Sequence, residues 1–346
     1  PNNSGLTRPI NVIAPKGTLV NPEFPAAVGI RHSITMRLYN VILGALAKAL
    51  PETVPAAGAG QAAIVVLSTP AADGQRNIAV VEPMGGGGGG QSDLDGVDGI
   101  DHAAAFLKNT PIESLEQHID IFVRKYELTP NTAGAGKHRG GHAIQLDFEI
   151  VKPDSIVTAR GMERLRFQPW GLAGGKAGTS GQVRLIRNGS IKQLPKIEVL
   201  KPEEGDIVSI ISPSGGGWGP PNLREVELVV EEVEAGLLSI EQAKAQYGVV
   251  LYESGGTLFV DENETAKLRE KISGQLEHID FGSYRREYEK KWTEEASTAL
   301  AVLLREFPAN IRSHMKHAVH RHFKDTNEKI TKDDVKKVLS ELQQKQ

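Results

Sequence analysis

Four glycine-rich segments constrain the fold of this chain more than any other feature of its sequence. They cover residues 84–90, 134–142, 166–176 and 214–221, and two of them also carry Lys, Arg or His. Glycine loses more backbone freedom on folding than any other residue, so clusters of it persist where the backbone needs a positive φ or comes close to another backbone or a ligand. We therefore expect these segments to pack closely against the chain itself or against a ligand.

The composition is that of a globular protein of nearly balanced charge. The chain has 346 residues, of which 39% are hydrophobic, and such a length is typical of two or three domains. With 40 basic and 43 acidic residues the net charge is −3, which favours neither nucleic acid nor a membrane surface as a partner. The sequence contains no cysteine, and this excludes disulfides, thiolate metal sites and a Cys nucleophile.

No segment of the sequence has the features of a membrane span or an export signal. No stretch approaches the roughly 18–20 consecutive apolar residues that cross a bilayer, and the start lacks a basic segment followed by an apolar one. We therefore predict a cytoplasmic protein. Because the sequence starts at Pro1 rather than Met, we also expect a fragment, a processed chain or the later part of a longer polypeptide.

The pattern of apolar residues predicts an α+β fold with a β-rich body. Apolar residues three and four positions apart predict a buried helix over 33–50, which Pro51 ends. Strands over 62–68 and 77–82 flank a turn at Gly74. The sequence also predicts a short helix over 112–119 and strands over 120–127, 142–151, 183–189, 197–200 and 206–211.

The later part of the chain is predicted to be mainly helical. Ser239 is the predicted N-cap of one short helix, and Gly248 is predicted to end it. A short strand over 249–252 precedes a turn at Gly255. The other predicted helices cover residues 223–235, 264–276, 283–304, 310–323 and 332–344.

These predictions divide the chain into two regions. The first, residues 1–263, is an α+β region with a β-rich and glycine-rich body and flanking helices. The second, residues 264–346, is charged, poor in glycine and all-helical. We place the boundary near Asn263 and expect the helical C-terminal extension to contact another subunit.

One glycine-rich segment, residues 136–142, is the strongest candidate for binding an anion. Arginine suits a phosphate, a carboxylate or bicarbonate because it can donate two parallel hydrogen bonds, and the neighbouring glycines let a ligand approach the backbone. The alternative is that Arg139 pairs with an internal carboxylate and holds a turn. The candidate residues of this segment are Lys137, Arg139, Gly140, Gly141 and His142.

Two further glycine-rich segments are weaker candidates for anion binding. Arg164, Arg166 and Lys176 form a second basic segment with the same two interpretations. In the run 85–90, successive N–H groups could bind a phosphate, although no Gly-Lys-Ser/Thr ending and no predicted helix follows. The alternative for this run is a flexible or tightly packed loop. Its candidate residues are Gly86, Gly87 and Gly88.

Two groups of residues have spacings that occur in metal sites. The first group is Asp93, Asp95, Asp98, Asp101 and His102. It lacks the bidentate Glu of a calcium loop, so turns capped by Asp side chains are the alternative. The second group is His314, His317, His320 and His322. Its neighbours are basic, which favours a solvated or subunit-facing helix. We therefore predict no metal site. We identify no catalytic residue, since no Gly-x-Ser-x-Gly motif marks a nucleophilic Ser.

Taken in order, the glycine-rich segments resemble the later half of the hydantoinase B/oxoprolinase family. The resemblance extends over roughly residues 1–270, and the ordered set of motifs is specific although no single motif is. Further passages that support it are residues 8–10, 21–31, 95–99, 109–113 and 243–250.

The resemblance implies one part of a multi-subunit, ATP-dependent enzyme. Members of this family form hetero-oligomers with a hydantoinase A-like partner, which binds ATP with Mg or Mn and phosphorylates an amide or enolate oxygen. A divalent metal such as Zn is expected elsewhere in the complex. The other partners implied are the N-terminal part of the same B-type subunit and a small-molecule ketone or cyclic amide.

The family has two branches of chemistry, and the resemblance alone does not separate them. One branch hydrolyses cyclic amides such as hydantoins, lactams and oxoproline, and the other carboxylates ketones such as acetone or acetophenone with bicarbonate. The helical extension favours the carboxylases, whose subunits are larger, so we predict a segment similar to acetophenone carboxylase. A cyclic-amide hydrolase is the alternative, and a mainly structural scaffold is the third hypothesis.

Overall fold

A computed structural model describes residues 8–26, 31–61, 63–100, 108–272 and 278–344, together with Gly5 and Gly29. The chain divides into two compact units. One is Thr35–Arg285, and the other combines Pro1–Ile34 with Arg286–Gln346. The structure combines helices with small antiparallel sheets, so the fold class is α+β, as predicted. These units are defined by contacts within the chain, and the boundary near Asn263 stays a prediction.

Antiparallel sheets form the body of the Thr35–Arg285 unit. Its strands are β1 (Ala63–Pro70), β2 (Arg76–Met84), β3 (Ile121–Thr129), β4 (Ala143–Ile150), β5 (Ile156–Arg160), β6 (Gly171–Leu172), β7 (Gln182–Arg187), β8 (Ser190–Leu194), β9 (Ile207–Ile211), β10 (Leu251–Ser254), β11 (Thr257–Val260) and β12 (Ile279–Asp280). The order β2–β1–β5 makes a three-stranded sheet, and the order β3–β4–β9–β7–β8 makes a five-stranded one. β10 pairs with β11, and β12 pairs with β6.

The two larger sheets share one hydrophobic core. Along β1, residues Ala63, Val65 and Leu67 are buried while Ile64 between them is exposed, because successive side chains of a strand point to opposite faces. The turn predicted between the first two strands is confirmed, with Gly74 at φ 80°. The same core takes Leu146, Phe148, Val183, Val208 and Ile210 from the five-stranded sheet.

Most of the described helices follow strand β9 in the chain. They are α1 (Arg31–Leu46), α2 (Ile112–His118), α3 (Val226–Glu234), α4 (Ile240–Tyr247), α5 (Glu262–Ile272), α6 (Ser283–Lys291), α7 (Glu294–Leu303), α8 (Ala309–His322) and α9 (Lys332–Gln344). The caps predicted for α4 are confirmed, since Ser239 accepts the N–H of Gln242 and Gly248 is left-handed at φ 66°. None of the described helices is both long enough and apolar enough to cross a membrane.

Three local predictions are wrong, and two of them have an identifiable reason. Residues 197–200 are not a strand, because Pro195 ends the sheet segment that instead occupies β8. The helix predicted over 283–304 is two helices, since Thr293 caps α7 by accepting the N–H of Ala296. Helix α1 forms as predicted, but its apolar residues Leu38, Val41 and Ile42 are exposed rather than buried.

Helices α7, α8 and α9 have a hydrophobic core of their own. Leu300, Met315 and Leu339 each come from a different one of these helices and are nearly inaccessible to solvent. Trp292 completes this core, and its ring lies 4.5 Å from that of His320. The aromatic contact shows that His320 packs within the helical unit.

The four glycine-rich segments lie side by side in the Thr35–Arg285 unit and are joined by backbone hydrogen bonds. Gly141 donates to Gly88 at 2.8 Å, Gly215 donates to Gly141 at 2.8 Å, and Gly217 donates to Lys176 at 2.9 Å. A Cβ atom on Gly215 would overlap the carbonyl oxygen of Gly88. The glycines are therefore needed because backbone packs directly on backbone.

Candidate functional site

Four backbone N–H groups of the glycine run 85–90 are used within the protein, those of Gly86, Gly87, Gly88 and Gly90. Gly86 donates to the carbonyl of Ile100 at 3.0 Å, Gly87 to Pro213 at 3.1 Å and Gly88 to Val97 at 2.8 Å. A phosphate cradle needs successive N–H groups that are free to donate. These three glycines therefore lie in a tightly packed loop with their N–H groups already paired, and phosphate binding by them stays a prediction.

One face of this loop lines a cavity of about 230 Å³ beside helix α1. The lining is mostly apolar, with the amides of Asn40, Gln61 and Gln91 as its polar side chains along with the Tyr39 hydroxyl. Gly87 and Gly88 belong to this lining, whereas Gly86 does not. A cavity of this size suits a small, uncharged molecule, since ligand sites are mostly apolar with a few polar groups that fix orientation.

Arg139, the central residue of the predicted anion site, is buried and paired inside the protein. Its Nη1 and Nη2 donate to the two carboxylate oxygens of Asp98 at 2.9 and 3.0 Å. Its Nε donates to Glu232, and Nη1 also donates to the carbonyls of Gly96 and Gly140. All three guanidinium nitrogens thus have internal acceptors, so the internal-carboxylate alternative describes Arg139, and the anion interpretation is not supported for it.

A second buried arginine, Arg224, also pairs with carboxylates, although its Nε has no partner among the described residues. Its Nη1 and Nη2 donate to the two oxygens of Asp95 at 2.7 Å each. Its Nη2 also donates at 3.1 Å to Oε1 of Glu232, the oxygen that accepts from Arg139. Glu232 therefore bridges the two arginines. We call these five residues the arginine–carboxylate network: Asp95, Asp98, Arg139, Arg224 and Glu232.

Burial and the neighbouring opposite charges have opposing effects on the pKa values of this network. Burial disfavours a charged guanidinium, but the carboxylates outweigh it and raise the pKa of both Arg139 and Arg224. Burial alone would raise the pKa of Asp95, yet its bonds to Arg224 hold that pKa below the usual value. At Glu232 burial dominates, and the pKa is raised although both arginines oppose the change. Paired charges of this kind are costly to separate.

The network holds one wall of the cavity. Asp95 and Asp98 lie on either side of Val97, which lines the cavity and whose carbonyl accepts the N–H of Gly88. The two carboxylates are fixed by Arg224 and Arg139. The ion pairs therefore position the loop at 95–98 against the glycine run.

His142 is buried beside the network and is a neutral residue near pH 7. Its backbone N–H donates to Asp98 at 2.6 Å, and its Nδ1 lies 3.5 Å from the hydroxyl of Thr132. Its Nε2 is buried and finds no hydrogen-bond partner among the described residues. Burial, followed by the positive charge of Arg139, lowers the pKa of His142 to about 4. His142 therefore adds no positive charge to an anion site.

The remaining sequence candidates lie either in the packed glycine-rich backbone or at exposed positions. Gly140 and Gly141 pack in the glycine-rich body, where Cβ atoms would overlap backbone atoms of Gly215 and Val97. The side chains of Lys137, Arg166 and Lys176 are exposed, and the Arg166 guanidinium lies 5.1 Å from the centre of the Phe167 ring. Anion binding by these three side chains stays a prediction.

The two groups with metal-like spacing have other roles where they are described. Asp95 and Asp98 bind arginines through both carboxylate oxygens, while Asp101 and His102 lie outside the described residues. On α8, His314 and His317 are exposed and do not join a cluster with His320. Within the described ranges, no group of three or more His, Asp or Glu residues could hold a metal ion.

Sequence reasoning missed Arg224 and Glu232. Glu232 follows Val229 by three positions on α3, and both are buried, so a carboxylate on the apolar face of a helix was the available signal. Arg224 precedes α3 and has no local signal, because its partner Asp95 lies 129 positions away.

Comparison with known proteins finds one matching family model and several relatives of similar sequence. The family model for hydantoinase B/oxoprolinase matches residues 1–221. An uncharacterized protein of Methanocaldococcus jannaschii is 36% identical over 270 residues, which are 78% of this chain and 46% of that protein. A protein of a Pseudomonas species (strain NS671), assigned as the B component of a D-/L-hydantoinase, is 34% identical over 275 residues, which are 78% of this chain and 45% of that protein.

Two solved structures are also similar. The ATP-dependent caprolactamase of Pseudomonas jessenii superposes with a TM-score of 0.65 at 27% identity, covering 75% of this chain and 46% of that one. An acetone carboxylase in its nucleotide-free form superposes with a TM-score of 0.55 at 16% identity, covering 82% of this chain and 42% of that one. At that identity the acetone carboxylase supports the fold alone. The chain spans about half the length of the relatives it matches.

Proposed function

Because this chain belongs to the hydantoinase B/oxoprolinase family, we propose that it is part of the B-type subunit of an ATP-dependent enzyme that opens a small cyclic amide. The observation that carries this proposal is the 34% identity, over 78% of this chain, to a protein assigned as the B component of a hydantoinase. The likeness to a caprolactamase, at 27% identity, supports the same branch.

Phosphorylation explains why such a reaction needs ATP. Transfer of the terminal phosphoryl group to the amide oxygen activates the carbonyl carbon towards water. The adduct then breaks the ring C–N bond, with the nitrogen taking a proton and leaving as the amine. A second water hydrolyses the resulting acyl phosphate to the carboxylate and inorganic phosphate. Among the described residues, the N–H groups of Gly86, Gly87 and Gly88 already have acceptors, and no group of three or more His, Asp or Glu residues could hold a metal ion. We therefore assign ATP with Mg or Mn, and any Zn, to a hydantoinase A-like partner and to the earlier part of the B-type subunit.

In this proposal the present chain binds the uncharged ring of the substrate. The cavity beside α1 has an apolar lining and three side-chain amides, which can donate to and accept from a lactam or hydantoin ring. The glycine-rich body and the arginine–carboxylate network give the cavity rigid walls, and a rigid site loses less conformational entropy on binding.

Ketone carboxylation is the second candidate function. Helices α7–α9 and their separate core favour ketone carboxylation, because the carboxylases of the family are expected to have larger subunits with such an extension. The reactions require different co-substrates, water in one case and bicarbonate in the other.

The test is ATP consumption by the complete complex, purified with its A-type partner and the full B-type subunit. Hydantoin, caprolactam and 5-oxoproline are compared with acetone and acetophenone, each with and without bicarbonate. ATP consumption that depends on a cyclic amide and not on bicarbonate would support the proposal. Consumption that requires both a ketone and bicarbonate would replace it with the second candidate.

A further inference from the structure

Two other arginines, Arg37 and Arg164, differ from the paired arginines of the network. Arg37 lies on α1, and its Nη2 donates to the carbonyl of Gly60 at 2.5 Å. Arg164 donates from Nη1 to the carbonyl of Gln168 at 3.0 Å and from Nη2 to Oδ1 of Asn40 at 3.2 Å. All three acceptors are neutral, so neither guanidinium charge is balanced by these bonds.

Both arginines keep a buried donor unused. The Nε atoms of Arg37 and Arg164, like that of Arg224, are inaccessible to solvent and have no hydrogen-bond partner among the described residues. In the same described part of the chain, neither guanidinium has a carboxylate within 4.0 Å. Leaving a buried charged donor unsatisfied costs considerably more than leaving a neutral one.

The positive charges of Arg37 and Arg164 are not compensated by a bound carboxylate, and their pKa values reflect this. Burial, followed by the charge of Arg37, lowers the pKa of Arg164 to about 9. Burial also lowers the pKa of Arg37. Glu163 opposes both shifts, but its nearest cation is Lys196 at 3.9 Å. By contrast, Arg139 and Arg224 have raised pKa values because carboxylates bind them.

The pair adjoins the cavity beside α1. Asn40 and Gly60 line that cavity, and they are the acceptors for Arg164 and Arg37 respectively. Gly60 has a φ of 57°, and a Cβ atom there would overlap the Arg37 guanidinium, so only glycine leaves room for it. The two guanidinium groups thus contact residues of a cavity whose own lining contains no charged side chain.

We propose that Arg37 and Arg164 form a binding site for a small oxyanion, either phosphate or a carboxylate. An oxyanion would accept from the two unused Nε groups and balance both charges, and arginine binds either anion through parallel hydrogen bonds. This site goes beyond the proposed function, because binding requires neither a particular substrate nor turnover.

The test is anion binding by calorimetry to the complete complex, with the nucleotide site filled by a non-hydrolysable ATP analogue. Inorganic phosphate, bicarbonate and acetate are titrated separately, and they distinguish a phosphate site from a carboxylate site. We expect at least one of them to bind, and its Kd to rise tenfold or more in Arg164→Gln and in Arg37→Gln. Arg160→Gln, which removes an exposed positive charge at the end of strand β5, serves as the control and should leave the Kd unchanged.

A second measurement covers the case in which a variant folds poorly. Arg164→Lys keeps the charge and removes the fork of donors, so it should weaken the same anion by a similar factor. The anion should also raise the melting temperature of the wild-type complex more than that of Arg164→Lys. If none of the three anions binds to the wild type, or if all variants bind with the wild-type Kd, the site does not exist. A protein carboxylate seated on the pair in a structure of the complete B-type subunit would also overturn it.

Discussion

Arg224 holds Asp95 through two hydrogen bonds of 2.7 Å, and this contact joins positions 129 residues apart in the sequence. It links the loop that follows the glycine run to the segment that precedes helix α3. Through Glu232, the same contact extends to Arg139 and Asp98. The geometry of the cavity wall at Val97 therefore depends on residues that lie far from it in sequence.

Removing Arg224 should be strongly destabilising. Arg224→Ala leaves Asp95 and Glu232 without their common partner, and breaking a buried ion pair from one side costs about 3–5 kcal/mol. The free energy of unfolding from urea denaturation measures this loss. Arg124→Ala is the matched control, because Arg124 pairs with Glu149 on the surface, where such a pair contributes at most about 1 kcal/mol. Equal losses in the two variants would contradict the network.

His142 should make stability depend on pH in the weakly acidic range. Its pKa is about 4 in the folded protein, below the value of roughly 6.5 expected for an unfolded chain. Between these values the unfolded state binds more protons, so stability is lost as pH falls from about 6.5 to about 4, by roughly 3 kcal/mol at most. Unfolding free energies measured across that range should show a shallower slope in His142→Asn. The same slope in both proteins would show that His142 does not carry the effect.

The packed glycine body predicts very unequal costs for Gly→Ala substitutions. Gly215→Ala places a methyl group on the Gly88 carbonyl, and we expect a loss of at least about 3 kcal/mol or no folded protein. Gly44→Ala on α1 meets only ordinary contact with Trp170 at 3.7 Å, and it should be neutral or stabilise the helix by up to about 1 kcal/mol. Thermal melting of the two variants separates these outcomes, and a tolerated Gly215→Ala would refute direct backbone packing.

Filling the cavity should weaken substrate binding without changing the fold. Leu43 lines the cavity, so Leu43→Phe should raise KM for the preferred substrate about tenfold, while kcat changes little because no reacting group is removed. Leu46→Phe, at an exposed position on the same helix, is the control. If Leu43→Phe folds normally and has the wild-type KM, the substrate binds elsewhere.

Local sequence signals predicted the helices and strands well, because interactions between residues close in sequence determine where these begin and end. Ser239 and Gly248 mark the ends of α4 by capping and by a left-handed backbone, and both effects act within a few residues. The order of the glycine-rich segments was sufficient to identify the family. The close contacts within those segments also follow from glycine's lack of a side chain, as the overlap at Gly215 illustrates.

The candidate site was less predictable because its contacts are distant in sequence. Basic residues next to glycine suggested an anion site at Arg139, yet carboxylates at Asp98 and Glu232 neutralise it. Whether an arginine is paired depends on tertiary contacts, and neither the spacing nor the composition contains that information. The exposed apolar face of α1 is a second example. The spacing of its apolar residues predicts a helix, but it does not predict whether that face is buried.

The most direct test of the central claim is to measure ADP and ring-opened product together in the complete complex supplied with ATP and a cyclic amide. Our account predicts that the two are formed in equal amounts and without bicarbonate, since each ring opening uses the phosphorylation of the amide oxygen. ADP formation that occurs only with a ketone and bicarbonate, or with none of these substrates, would contradict it.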